Sequence, residues 1–145
     1  MSSIILYYTL GGATRAEARR LATESGAQLC EVREQKKRGL FSAFFPGCPH
    51  AMQRRASKLQ PLGIDLNAYD NIVIGCPIWA NFPAPAFNAI AAQLPAGKQI
   101  SLFFCSGGGD SSKSAEGTKG MIAARGCTLV SYRDVKTEAR PSAEK

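Results

Sequence analysis

Three short stretches of the chain combine residue types that suit a flat ligand carrying a phosphate. Residues 9–14, Thr-Leu-Gly-Gly-Ala-Thr, are rich in glycine and hydroxyl groups directly before a helical pattern. Backbone amides and the helix dipole at such a position stabilise a phosphate group. Residues 77–82 contain two aromatic side chains, and residues 106–110 combine three glycines with polar atoms. A phosphate cradle beside aromatic rings is typical of a mononucleotide site.

Each of these stretches follows a predicted strand. Apolar runs at residues 4–9, 72–74 and 99–105 predict strands that are largely buried. We expect the second of them to stop at Gly75-Cys76-Pro77, because proline cannot donate to a sheet ladder. In a doubly wound sheet the loops after parallel strands emerge at one edge, where ligands bind. The three stretches are therefore expected to form one site with exposed rings.

The remaining elements complete an α/β alternation. Helical patterns span residues 14–25, 84–94 and 111–125, and the first begins with a capping-box spacing from Thr14 to Glu17. Residues 28–33 and 127–132 predict two further strands, the former at a half-buried edge. A long, basic crossover precedes the strand at 72–74. Right-handed crossovers then produce a five-stranded, doubly wound parallel sheet that is covered on both sides.

Length and composition predict a single domain over residues 1–145, with 136–145 as a short polar tail. No apolar run approaches the roughly 18–20 residues that span a membrane. The start of the chain shows no signal-peptide pattern, so we expect a cytoplasmic protein. Five cysteines without a C-x-x-C pair indicate reduced thiols, and the single His50 argues against most metal sites.

The positive charge of the chain is concentrated in one segment. The formal net charge is +7, and the segment from Arg33 to Lys58 contains seven Lys or Arg against one acid. Such a segment suits an acidic protein, an anionic membrane or nucleic acid, and it is equally compatible with a solvated face. Nucleic acid is the less favoured partner.

One motif in that segment is a coincidence of spacing. Cys48 and Arg54 have the C-x5-R spacing of thiol phosphatases. That chemistry needs a strand, a glycine-containing loop and a thiolate of low pKa. No strand pattern precedes Cys48 and the loop contains no glycine, so we do not expect phosphatase activity.

The sequence resembles the flavodoxin-like family of FMN-binding proteins. Residues 75–85, Gly-Cys-Pro-Ile-Trp-Ala-Asn-Phe-Pro-Ala-Pro, resemble the family's G-x-P-x-W segment with its downstream prolines. Residues 9–14 stand where the family has [ST]-x-T-G-N-T, and residues 104–110 resemble its third flavin loop. The resemblance covers residues 4–135. It implies a sheet of order 2-1-3-4-5, noncovalent FMN, and electron or hydride transfer by an electron carrier or a small oxidoreductase.

Carried over by position, the resemblance assigns the first stretch to the FMN phosphate. Thr9 and Thr14 would supply hydroxyl groups, and the amides of Gly11, Gly12 and Ala13 would complete the cradle. Thr14 with Glu17 also has a purely structural explanation as a helix cap.

The other two stretches are assigned to the flavin ring. Trp79 is the candidate platform, with Phe82 second, and the loop Ser106–Asp110 would border the pyrimidine edge. Two structural explanations stay open, namely Trp79 as a core side chain and the glycines as a simple turn. No catalytic residue is assigned, and the full set of predicted cofactor-binding residues is Thr9, Gly11, Gly12, Ala13, Thr14, Pro77, Ile78, Trp79, Ala80, Asn81, Phe82, Ser106, Gly107, Gly108, Gly109 and Asp110.

Departures from the family pattern support a second hypothesis. Gly11 and Ala13 replace the threonine and asparagine of the family's phosphate loop, so two side-chain contacts are absent. The alternative function is accordingly a flavin-free, flavodoxin-like partner or regulatory module.

The resemblance also raises expectations about partners. The family ends in a fifth helix, whereas the tail at 136–145 is too short and polar for a full one. We therefore expect one sheet face to pack against a partner subunit, as in a homodimer. A redox partner protein or reductase is expected to dock on the basic segment Arg33–Lys58.

Overall fold

The computed structural model describes residues 2–10, 12–36, 48–107 and 110–137. Residues 37–47 of the predicted crossover lie outside these residues, as do Gly11, Gly108, Gly109 and the tail beyond Thr137. The strands are β1 (Ser3–Tyr7), β2 (Gln28–Glu31), β3 (Asn71–Trp79), β4 (Phe82–Pro83), β5 (Gln99–Ser106) and β6 (Thr128–Lys136). The helices are α1 (Ala13–Ser25), α2 (Cys48–Met52), α3 (Pro85–Ala91) and α4 (Ser112–Ala124), with a 3₁₀ turn at Leu66–Ala68.

The long strands form a parallel sheet in the order β2-β1-β3-β5-β6, and the short β4 pairs antiparallel with β3. Without β4, this is the predicted order 2-1-3-4-5. The register aligns Ile4 with Ile72 and Ile72 with Ile100, so β-branched side chains from three strands share one face. The predicted fold class and the position of β2 at an edge are confirmed.

Helices cover both faces of the sheet, as predicted. On one face, Phe87 of α3 and Ile122 of α4 join the main core with Ile74 and Phe104. On the other face, Ala18 of α1 packs in a smaller cluster that contains Phe103. Among the described residues, α1 is the helix that packs on this second face.

The prediction that β3 stops at Gly75-Cys76-Pro77 is wrong, because the strand continues to Trp79. The carbonyl of Pro77 accepts a hydrogen bond from the amide of Ala84 at 3.0 Å, on the side of the strand away from β5. In an extended strand the N–H and C=O of one residue point to the same side. The missing N–H of Pro77 therefore removes no bond from the β5 ladder.

The predicted capping box at Thr14 is also wrong. α1 begins at Ala13 with Gly12 as its N-cap, at a φ of 114° that glycine adopts readily, and no side chain caps this end. Thr14 is 1% exposed within the first turn. The carboxylate of Glu17 accepts instead from Arg20 of the same helix at 2.6 Å and from Arg133 of β6 at 3.1 Å.

These two contacts of Glu17 make the stability of the protein depend on pH. Its hydrogen bonds, first from Arg20 and then from Arg133, lower the pKa of the Glu17 carboxyl. A lowered pKa in the folded state gives stabilisation that is complete above the unfolded-state pKa of about 4.3 and is lost as the pH falls through the folded-state pKa. Glu17→Gln is expected to lower the free energy of unfolding at pH 7 by about 1 kcal/mol, since both arginines are half exposed and screened.

Urea unfolding at pH 7 and pH 3 measures this effect, and the difference from wild type should shrink at pH 3. Glu24→Gln is the matched control, because Glu24 also pairs with Arg20 but its side chain is 61% exposed. Equal losses in the two variants, or a loss from Glu17→Gln that does not change with pH, would contradict the prediction.

Candidate functional site

The fold brings the three predicted stretches to one edge of the sheet. β1, β3 and β5 are parallel neighbours, and the amide of Tyr8 donates to the carbonyl of Gly75 at 3.0 Å. Pro77 lies in register with Cys105 on the next strand. The segments after Tyr8, Pro77 and Cys105 therefore emerge together at the carboxyl edge, where open α/β sheets bind their ligands.

The first stretch is closed by a hydrogen bond within the loop. The Thr9 Oγ1 atom accepts from the amide of Gly12 at 2.8 Å, and the carbonyl of Gly12 accepts from Ala16 at 2.9 Å. A threonine oxygen that accepts one bond still carries a proton to donate. Thr9 is therefore suited to the predicted phosphate contact, whereas the burial of Thr14 argues against its part in it.

The start of α1 keeps its positive partial charge. Its first turn contains no acidic residue and no side-chain cap. The amides of the first turn have no partner four residues earlier within the helix, so they can bind an anion. Arg15 adds a positive side chain, although its guanidinium is held by Glu31 at 3.1 Å, an interaction that raises the pKa of Arg15. These residues fit a phosphate group without further change.

The second stretch is a β-hairpin rather than a loop. Pro77 and Ile78 lie within β3, and Trp79 pairs with Phe82 across a two-residue turn. The turn residues, Ala80 and Asn81, have φ values of 52° and 72°. Such a turn requires positive φ at both central positions, which is disfavoured for alanine. Strain of this kind persists only where surrounding contacts hold the backbone in place.

The two rings of the hairpin have different environments. Trp79 is 9% exposed and belongs to the main core, with its ring 6.2 Å from that of Tyr8 in an edge-to-face contact. Phe82 is half-buried, and the guanidinium of Arg54 lies 5.1 Å from its ring centroid. The expectation of two exposed rings is wrong for Trp79. Its choice as the flavin platform stays a prediction.

The third stretch is described only at its two ends. Ser106 ends β5 and Gly107 follows, while Gly108 and Gly109 lie outside the described residues. The carboxylate of Asp110 accepts from the amide of Ser112 at 2.8 Å, which lowers the pKa of Asp110. Asp110 therefore stabilises the start of α4.

A partly buried polar network next to this loop was missed by the sequence analysis. The hydroxyl of Ser111 donates to the carboxylate of Asp134 at 2.6 Å and is bonded to the hydroxyl of Tyr132. Burial raises the pKa of Tyr132. These contacts tie the end of the third loop to β6. Tyr132 and Asp134 are two residues apart, a spacing that places both on one face of a strand. This spacing could have indicated the network, but the predicted strand ended at residue 132.

A second missed feature is a cavity of about 410 Å³ beside the first stretch. Tyr8 and Glu34 both line it, and the tyrosine hydroxyl donates to the Glu34 carboxylate at 2.7 Å. Glu34 is 8% exposed, so the solvated face that was one explanation of the segment Arg33–Lys58 does not include this residue. Its isolated β-bridge to Leu59, which the sequence does not encode locally, brings it inward.

The part of the chain that the structure describes contains neither a candidate membrane-spanning helix nor a candidate metal site. No helix there has the length and apolar character that crossing a membrane requires. No group of three or more His, Cys, Asp or Glu side chains there could hold a metal ion.

Comparison with solved structures identifies the fold. A flavoprotein from Lactobacillus acidophilus NCFM, solved in complex with FMN, aligns with a TM-score of 0.76 and 23% identity over 92% of this chain and 93% of its own. The apo-form flavoprotein from the same strain aligns with a TM-score of 0.68 and 25% identity over 92% of each chain. A flavodoxin from Streptococcus pneumoniae TIGR4 aligns with a TM-score of 0.55 and 10% identity over 99% of this chain and 92% of its own.

These similarities show that the chain has the flavodoxin-like fold, as the sequence resemblance implied. No protein-family model and no curated protein sequence matches the chain. Residue roles therefore depend on the geometry of this chain.

Proposed function

We propose that the chain is an FMN-binding redox protein, either an electron carrier or a small FMN-dependent oxidoreductase. The observation that carries the proposal is that the uncapped start of α1 and the Trp79–Phe82 hairpin both lie at the carboxyl edge of a flavodoxin-like sheet. The FMN complex of the Lactobacillus acidophilus flavoprotein supports it, because that protein shares the fold over nearly its whole length.

The residues of this chain would bind and orient the cofactor. The amides at the start of α1 and the Thr9 hydroxyl would hold the phosphate, and the hairpin would support one side of the flavin ring. Ser106, Gly107 and Asp110 would border the ring on the β5 side. Bound FMN supplies the redox chemistry, since the flavin ring accepts and donates electrons or hydride.

Our proposal places the redox role in the cytoplasm and its partner on the basic side of the protein. Cys30, Cys76, Cys105 and Cys127 are free thiols, and burial raises the pKa of Cys76, so this thiol is not a reactive one. The described part of the basic segment exposes four cations, which suit an acidic redox partner or reductase: Arg33, Lys36, Arg55 and Lys58.

The flavin-free alternative also has a specific observation in its favour. The Thr9–Gly12 hydrogen bond gives the amide of Gly12 a partner without any ligand. A partner or regulatory module with a degenerate phosphate loop would keep this bond permanently and would bind no flavin.

Titration of the purified protein with FMN and with riboflavin separates the two hypotheses. FMN fluorescence should be quenched at a 1:1 ratio, and riboflavin, which lacks the phosphate, should bind at least about tenfold more weakly, since one hydrogen bond to a charged group contributes about 1.5–3 kcal/mol. Equal affinities would show that the start of α1 does not bind the phosphate. Absence of binding by either compound would support the flavin-free module.

A further inference from the structure

Arg54 joins three segments that are distant in sequence. It follows α2 and has a φ of 54°, in the left-handed region that non-glycine residues rarely adopt. Its Nη1 atom donates to the hydroxyl of Thr118 at 3.0 Å, and its Nη2 atom donates to the carbonyl of Ser114 at 2.9 Å, both on α4. The same guanidinium lies over the ring of Phe82.

α4 is shaped to admit this guanidinium. A Cβ atom added at Gly117 would lie 2.8 Å from the Nη2 atom of Arg54. Glycine inside a helix is unfavourable relative to alanine, and the glycine at 117 leaves the space into which the guanidinium of Arg54 extends. Gly120, one turn further along α4, has open space at the corresponding Cβ position. The two glycines therefore differ in their relation to Arg54.

The same region of α4 also holds the hairpin turn. The hydroxyl of Ser114 donates to the carbonyl of Asn81 at 2.6 Å, so Ser114 contacts both the turn and the guanidinium of Arg54. Desolvation lowers the pKa of Arg54, but a guanidinium stays charged at neutral pH. A half-buried cation is attracted to the face of an aromatic ring more strongly than an exposed cation is. Arg54 and Ser114 thus support the turn that has positive φ at Ala80.

We infer that Arg54 is a positioning residue that holds the hairpin against α4 before any flavin binds. This inference rests on the proposed function for its effect on FMN, but the position of the hairpin can be measured without flavin. A hairpin that is fixed in advance loses less conformational entropy on binding, which improves affinity. Arg54 is also the arginine of the C-x5-R spacing that begins at Cys48. Its contacts with Thr118, Ser114 and Phe82 give this arginine a structural role.

Glycine and arginine variants test this role. Gly117→Ala displaces the guanidinium while improving helix propensity, and Gly120→Ala is the matched control on the same helix. Arg54→Met removes the charge, and Arg54→Lys restores a cation. Trp79 is the only tryptophan in the sequence, so acrylamide quenching of its fluorescence in flavin-free protein reports on the hairpin. FMN titration measures the Kd.

Gly117→Ala and Arg54→Met should increase the accessibility of Trp79 to acrylamide and should raise the Kd for FMN by about 3- to 30-fold. Gly120→Ala should change neither quantity, and Arg54→Lys should recover part of both. The inference is overturned if the two glycine variants behave alike, or if only one of the two quantities changes.

If the wild-type protein binds no FMN, the proposed function fails. The quenching comparison alone then decides whether Arg54 holds the hairpin. Equal quenching in all variants would overturn the inference in that case.

Discussion

Replacing Trp79 with leucine is expected to raise the Kd for FMN by about 10- to 100-fold, because stacking of a planar ring on an aromatic side chain contributes about 1–3 kcal/mol. Leucine keeps the site apolar and retains part of the volume in the core. The fold should therefore survive despite the burial of Trp79 and its contact with Tyr8. FMN fluorescence titration measures the Kd, and circular dichroism confirms that the variant is folded.

Phe82→Leu is the comparison that makes this result specific. Phe82 is the partner of Trp79 across the hairpin but is the more exposed of the two rings. If Trp79 is the platform, Phe82→Leu should raise the Kd less than Trp79→Leu does. The reverse order would assign the platform to Phe82, and unchanged affinity in both variants would remove the hairpin from the flavin site.

Gly75→Ala is expected to destabilise the protein by about 3 kcal/mol or more, at or above the upper end of the usual range for overpacking. An added Cβ atom would lie 2.1 Å from the Cζ atom of Phe103, whose ring packs directly over Gly75. Phe103 is almost fully buried, so its ring has no open space to enter. Urea unfolding at neutral pH measures the loss.

The double variant Gly75→Ala/Phe103→Leu tests the cause. Leucine lacks the Cζ atom that an alanine side chain would strike, so the second substitution should cost less in the Gly75→Ala background than in wild type. A loss below about 0.5 kcal/mol for Gly75→Ala alone would be within the range of ordinary surface substitutions and would contradict the predicted clash.

Patterns that are local in sequence predicted most of the fold. The apolar runs at residues 4–9 and 99–105 and the helical spacing at 111–125 correspond closely to β1, β5 and α4. Such patterns work because burial on both faces of a strand and on one face of a helix is already encoded within a few residues. The flavodoxin-like resemblance then implied the strand order, which the structure confirms.

Predictions from single residues were less successful when a distant partner decided the outcome. Pro77 does not end β3, because its carbonyl and its missing N–H face Ala84 rather than β5. Thr14 does not cap α1, because the chain enters the helix at Gly12, and Glu17 bonds to Arg20 and to β6. The local sequence does not show which neighbour the backbone groups of Pro77 will face. It also does not show that α1 will contact β6.

The sequence by itself determined the class of fold, the alternation of most strands and helices along the chain and the three stretches that emerge at one edge, because periodicity and the connection rules of parallel sheets depend on chain order. Only the tertiary structure decided how those stretches are held. It placed Trp79 in the core, brought Arg54 over Phe82 and packed Phe103 against Gly75. These contacts join residues that are far apart in the chain, so their geometry arises only when the elements pack together.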